Sequence, residues 1–103
     1  MNITRYEIAN QHGDHISIAN FGARLISWTT MVDQQPRNII LGYQNLSDYL
    51  TDSSFMGAIV GPYANRIAGA SCQINQQLYP LDANEGKHQL HGGSNALANI
   101  FWQ

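Results

Sequence analysis

Arg66 is the first residue whose surroundings suggest chemistry. It is the only charged residue between Phe55 and Ile74, in the run Gly57-Ala-Ile-Val-Gly-Pro-Tyr-Ala-Asn-Arg-Ile-Ala-Gly69. A guanidinium stays ionised, so among apolar neighbours it needs a carboxylate, carbonyls or a polar ligand. Its five donors form a rigid fork that suits vicinal hydroxyls or a carboxylate. A structural ion pair, or a stem lying on the surface with its head in water, meets the same need.

His91 is the second, in Leu90-His91-Gly92-Gly93. The paired glycines remove side-chain bulk and accept positive φ, so backbone can approach a ligand beside the imidazole. A turn histidine hydrogen-bonded to backbone is the plainer alternative. His88 lies three residues earlier, but two histidines do not make a metal site and no third ligand follows in pattern. His12 and His15 flank a turn and read as solvated.

The carboxylates are Glu7, Asp14, Asp33, Asp48, Asp52, Asp82 and Glu85. Asp14 and Asp33 sit among turn residues. Asp48 and Asp52 sit in or beside a short helical stretch, where capping or solvation accounts for them. Asp82 and Glu85 flank the loop before His91 and could reach it. There is no GxSxG, glycine-rich phosphate loop or paired-carboxylate pattern. Spacing alone thus gives a polar site around Arg66 and His91, and no reaction.

The elements that must hold these residues read as strands. Ile3 to Ile8 alternates, and Gln11-His12-Gly13-Asp14 turns into Ile16 to Ala19. Asn20-Phe21-Gly22 leads into a strand from Arg24 to Met31, where Leu25, Ser27 and Thr29 oppose Ile26, Trp28 and Thr30 across the pleat. Asp33 to Arg37 reads as a loop around Pro36, followed by a strand from Asn38 to Leu41. One short helix is predicted over Asn45 to Leu50, with Leu46, Tyr49 and Leu50 on one face. Ala58 to Val60, Ala70 to Ile74 and Leu78 to Leu81 read as strands, the last two joined through Asn75-Gln76-Gln77 as a hairpin. Asp82 to Gln89 is a polar loop bending at Gly86. The class is all-β, a sandwich or part of one, in a single domain over residues 1–103.

Composition removes other classes. Only 12% of the 103 residues are charged, about half the usual ~25%, and the net charge is −2. That leaves no basic surface for nucleic acid and no polybasic patch for a membrane. Cys72 is alone, so no internal disulfide or cysteine cluster forms. Glycine, proline and Arg66 interrupt the weakly charged stretch from Phe55 to Ile74, which is no membrane span. The N-terminal residues lack a basic stretch leading into an apolar one, so no signal peptide is expected. The expectation is a soluble, cytoplasmic protein.

Taken together, these segments resemble the aldose 1-epimerase (galactose mutarotase) family. Gly22-Ala23-Arg24-Leu25 is similar to its early "GA-x-L" strand, and Ile39-Ile40-Leu41-Gly42-Tyr43 to its "vvLGf" segment. The run Gly61-Pro62-Tyr63-Ala64-Asn65-Arg66-Ile67-Ala68 is close to the family's "GRYANRIA". Leu78-Tyr79-x-Leu81-x-x-Asn84 and Leu90-His91-Gly92-Gly93 resemble "Y-x-L-x-x-N…LHGG", with Trp102 at a family tryptophan.

The resemblance implies part of a galactose mutarotase-like β-sandwich that binds a small aldose sugar and uses no cofactor or metal. It implies that Asn65, Arg66 and His91 hold the pyranose. It also implies that the general acid histidine and general base glutamate lie beyond Gln103, because family members are considerably longer and only their N-terminal part is matched. Pro62 stands where the family has arginine, which removes a cation beside the site. The activity implied is interconversion of α- and β-anomers of aldohexoses by acid–base ring opening, with this chain alone inactive. A non-catalytic β module that binds sugar or a partner chain is the rival reading. The chain also closes on Ile100-Phe101-Trp102-Gln103, an apolar run that fits either a final core strand or a natural chain that continues. A sandwich cut here is expected to expose a face built by Leu25 or Trp28, Ile59, Ile74 and Phe101. A homo-oligomer or a missing C-terminal segment would then cover that face.

Overall fold

Alternating residues and short turns fold the first third of the chain into a meander. The computed structural model describes all residues, Met1 to Gln103. Strands β1 (Arg5–Ala9), β2 (His15–Ala19), β3 (Arg24–Val32) and β4 (Gln35–Asn38) form one antiparallel sheet in the order β1-β2-β3-β4. A bulge between Ser17 and Ile18 shifts the β2–β3 register, so Ser17 faces Ser27 while Ile18 faces Leu25. Two further pairs follow. β5 (Arg66–Ile67) pairs with β8 (Gln89–Leu90), and β6 (Ser71–Ile74) pairs with β7 (Gln77–Pro80).

Several sequence expectations shift here. The segment read as a loop around Pro36 is β4, and no strand runs from Asn38 to Leu41. Asp33 and Gln34 both take positive φ (49° and 63°), the primed two-residue turn whose twist matches a hairpin. Pro36 is tolerated because β4 is an edge strand. Asn75 and Gln76 (49° and 66°) make the same turn between β6 and β7, so Gln77 belongs to the strand. Ala58 to Val60 is not a strand; its amides reach the Phe55 and Gly22 carbonyls instead. The predicted helix is a 3₁₀ turn, Leu46–Leu50, in which Tyr49 is buried and Leu50 exposed. Two more 3₁₀ turns, Ala68–Ala70 and Leu97–Asn99, complete the elements.

The centre of the sheet is held by charge as well as by apolar contact. Ala19, Ile26 and Tyr49 form the small apolar core. Arg24 is fully buried beside them, its guanidinium 5.7 Å from the Phe21 ring and 5.9 Å from the Tyr49 ring. It donates from Nη1 to the Asp52 carboxylate, whose side chain is also fully buried, and from Nη2 to the Ala98 carbonyl at 3.3 Å. Tyr43 Oη donates to the same carboxylate at 2.7 Å, as do the amides of Ser54 and Met56, each at 3.0 Å. Asp52 is therefore a buried anchor and not the solvated or capping residue its position beside the short helix suggests. His15, read as solvated, lies 2.6 Å from Glu7 across the β1–β2 pair.

Burial on its own would raise the Asp52 pKa. The bonds from Tyr43, Arg24, Ser54 and Met56 outweigh it and hold the group at about 2, below the ordinary 3.8. A carboxylate depressed by folding stabilises the fold above its unfolded pKa and loses that contribution as pH falls towards the folded one. About 2 kcal/mol should disappear between roughly pH 5 and pH 2. Denaturant midpoints measured across that window should fall in the wild-type chain, and this part of the fall should be missing in Asp52→Asn.

Only 12 residues are buried, and the radius of gyration is 17.1 Å against ~13 Å for a closed domain of this length. Much apolar surface is therefore open, and Trp28, Ile59 and Ile74 are each exposed. Leu25 and Phe101 are half-buried; Phe101 bridges back to Phe21, with ring centroids 5.1 Å apart. No helix is long and apolar enough to cross a membrane.

Candidate functional site

The two short strands β5 and β8 exist to bring two loops together. Arg66 faces Leu90 in their ladder, which sets Asn65 beside His91. Those two residues lock each other. The Asn65 amide donates to His91 Nδ1 at 2.9 Å, and the His91 amide donates to the Asn65 carbonyl at 2.9 Å. Both take positive φ, 69° and 52°, which asparagine accepts more readily than histidine does. Because Nδ1 accepts, the neutral imidazole carries its proton on Nε2, and that donor remains for a ligand.

Arg66 projects outward, with its side chain 55% exposed, so burial is not what it answers to. Its Nε and Nη2 fork onto Glu85, the Nη2 bond measuring 2.6 Å. The hydrogen bond to Glu85 raises the arginine pKa, and the same bond lowers that of Glu85. Nη1 and one Nη2 proton stay free for hydroxyl oxygens. The spacing allowed Glu85 to reach His91; the structure gives it to Arg66. Asp82, the other carboxylate of that loop, accepts the Ser94 amide, and this bond lowers its pKa.

The loop geometry depends on local sequence. Asn84 bridges Leu90 from both sides, accepting its amide at 2.7 Å and donating to its carbonyl at 2.9 Å. His88 Nδ1 accepts the Gly69 amide at 3.1 Å, so the two histidines of the HxxH spacing each hold separate backbone. Gly92 has φ 95°, and a Cβ there would lie 2.2 Å from the Gly61 carbonyl oxygen. Only glycine lets the His91 loop close on the Gly61–Pro62 segment.

Sequence reasoning passed over Phe55. It packs on the His91 imidazole in a T-shaped arrangement, with ring centroids 4.7 Å apart. Its one available signal was an aromatic between Asp52 and Gly57, too ordinary to read. The two concave regions of the surface lie elsewhere. One of about 320 Å³ is lined by Ile8, His15, Leu25 and Trp28, and one of about 290 Å³ by Tyr6, Ile18 and Trp102. The broad cleft that the resemblance implies around Asn65, Arg66 and His91 is thus not enclosed by this chain.

Comparison with known proteins gives the chain's family and fold. The chain is 41% identical over 86 residues to an aldose 1-epimerase of Haemophilus influenzae, covering 84% of this chain and 25% of that protein. It is 34% identical over 86 residues to a galactose mutarotase of Sus scrofa, covering 76% of this chain and 25% of the relative. The crystal structure of a GalM/aldose epimerase homologue from C. elegans superposes with a TM-score of 0.91 at 30% identity, over 99% of this chain and 32% of that one. The chain therefore spans about a quarter to a third of the length of these relatives, and its strands are those of a galactose mutarotase-like fold. Residues 4–103 match the family described as aldose 1-epimerase, and the chain belongs to that family.

Proposed function

We propose that this chain forms the sugar-holding part of an aldose 1-epimerase acting on aldohexoses such as galactose or glucose. The observation that carries the reading is the reciprocal Asn65–His91 lock beside the Arg66–Glu85 fork. It presents a fixed imidazole Nε2–H and the remaining guanidinium donors from neighbouring strands, a donor set suited to ring and hydroxyl oxygens.

Mutarotation needs a proton delivered to the ring oxygen and one removed from the anomeric hydroxyl. The ring then opens, C1 rotates and the ring recloses on the other face. In this reading Arg66 and His91 hold the pyranose and stabilise charge developing on its oxygens. The acid histidine and base glutamate come from residues beyond Gln103, in keeping with the chain's share of its relatives' length. Glu85 and Asp82 are committed to Arg66 and Ser94 and are poor stand-ins for the base.

The test is a galactose titration followed by ¹⁵N NMR, paired with polarimetry on the same sample. Saturable shifts at Asn65, at Arg66 Nε and at His91 Nε2, with negligible mutarotation, are expected. Shifts confined to the Trp28 groove would overturn the site assignment. A polarimetric rate near that of a full-length relative, lost in His91→Ala, would overturn the division of labour.

A further inference from the structure

Phe55 is held in a conformation that a bulky residue avoids. Its φ is 56°, in the left-handed region, where Cβ crowds the backbone. The surrounding bonds leave it little choice. Ser54 and Met56, its two neighbours, both donate their amides to the buried Asp52 carboxylate. The Phe55 carbonyl accepts the Ala58 amide at 3.1 Å, and the Leu25 amide closes the same turn on the Gly57 carbonyl at 2.9 Å. Arg24, paired with Asp52, also donates to the Met56 carbonyl at 3.3 Å. Strain that persists under such over-determination marks a side chain whose placement matters. Here the placement brings the half-buried Phe55 ring against His91.

We propose that Phe55 is a positioning residue for His91, its T-shaped contact fixing the imidazole with Nδ1 on the Asn65 amide and Nε2–H turned to the sugar. The sugar-facing half of this rests on the reading of His91 as a sugar-holding residue. The Asn65 bond holds the ring at one nitrogen, which restrains its rotation but leaves a tilt about that single hydrogen bond. An aromatic edge contact removes that freedom and fixes the direction of the remaining donor.

The experiment compares Phe55→Leu, Phe55→Gly, Phe55→Tyr and His91→Ala in the full 103-residue chain. Without sugar, the ¹⁵N spectrum of the wild-type imidazole should show the single Nε2–H tautomer. Phe55→Leu should give mixed tautomers and faster exchange of the Asn65 amide, while Phe55→Tyr keeps the wild-type pattern. Galactose affinity should fall about tenfold in Phe55→Leu and Phe55→Gly. Phe55→Gly should unfold at the same or a higher denaturant concentration than wild type, because glycine relieves the left-handed backbone. A purely structural aromatic would lose stability and affinity together. Phe55→Leu with the wild-type tautomer and wild-type affinity overturns the proposal. His91→Ala binding galactose as wild type does overturns the sugar reading, and the imidazole spectrum still decides the role of Phe55.

Discussion

Arg24→Met is expected to destabilise the chain by about 3–5 kcal/mol, the cost of leaving one buried charge without its partner. Asp52 would then keep its position among Tyr43, Ser54 and Met56 with no cation beside it. A domain holds only ~5–15 kcal/mol in total, so this single change should place a large unfolded fraction in solution. Arg24→Met combined with Asp52→Leu should recover much of the loss, since an apolar pair of similar volume leaves no buried charge. Urea unfolding followed by circular dichroism separates these cases. A loss under about 1 kcal/mol for Arg24→Met would mean that water reaches the pair, as it does in exposed salt bridges.

Gly92→Ala should have the second largest effect, and should act on the site as well as on the fold. The added methyl would sit 2.2 Å from the Gly61 carbonyl oxygen and 2.9 Å from Pro62 Cδ, at a φ of 95°. Strain and overpacking together should cost about 2–4 kcal/mol. Gly61 O also accepts the Leu97 amide at 3.1 Å, so the segment cannot yield without breaking that bond. The movement falls on the loop carrying His91, and galactose-dependent shifts at Asn65 and His91 should vanish. Gly86→Ala is the matched control, having positive φ (57°) but no atom within 4 Å of the new methyl. The difference between the two variants isolates the close approach. Equal losses would show that φ strain alone decides.

The legible parts of this fold are those written in local pattern. Alternation placed β1, β2 and β3, and the turn residues at Asn75 placed the β6–β7 hairpin. Pro36 misdirected the reading of β4, because proline excludes a central strand but not an edge. Ile59 and Val60 look like strand residues, yet Gly57 and Gly61 on either side take positive φ and their segment is irregular. Arg24 and Asp52 lie 28 residues apart, and no spacing rule joins them. Asn65, Arg66 and His91 were legible as a set only through the family resemblance. Their local context could not show that Asn65 and His91 hold each other, that Glu85 belongs to Arg66, or that Phe55 packs on the imidazole.

The mutual bonding of Asn65 and His91 also bears on how this region opens. Each residue's amide proton is protected by the other residue, one by a ring nitrogen and one by a carbonyl. With Phe55 seating the ring, neither proton exchanges with solvent while its partner's loop stays in place, and the short β5–β8 ladder holds both loops. Loss of that ladder would release the two protons in one event. Their exchange clocks should therefore run together, and anything that slows one, a bound sugar included, slows the other by the same factor.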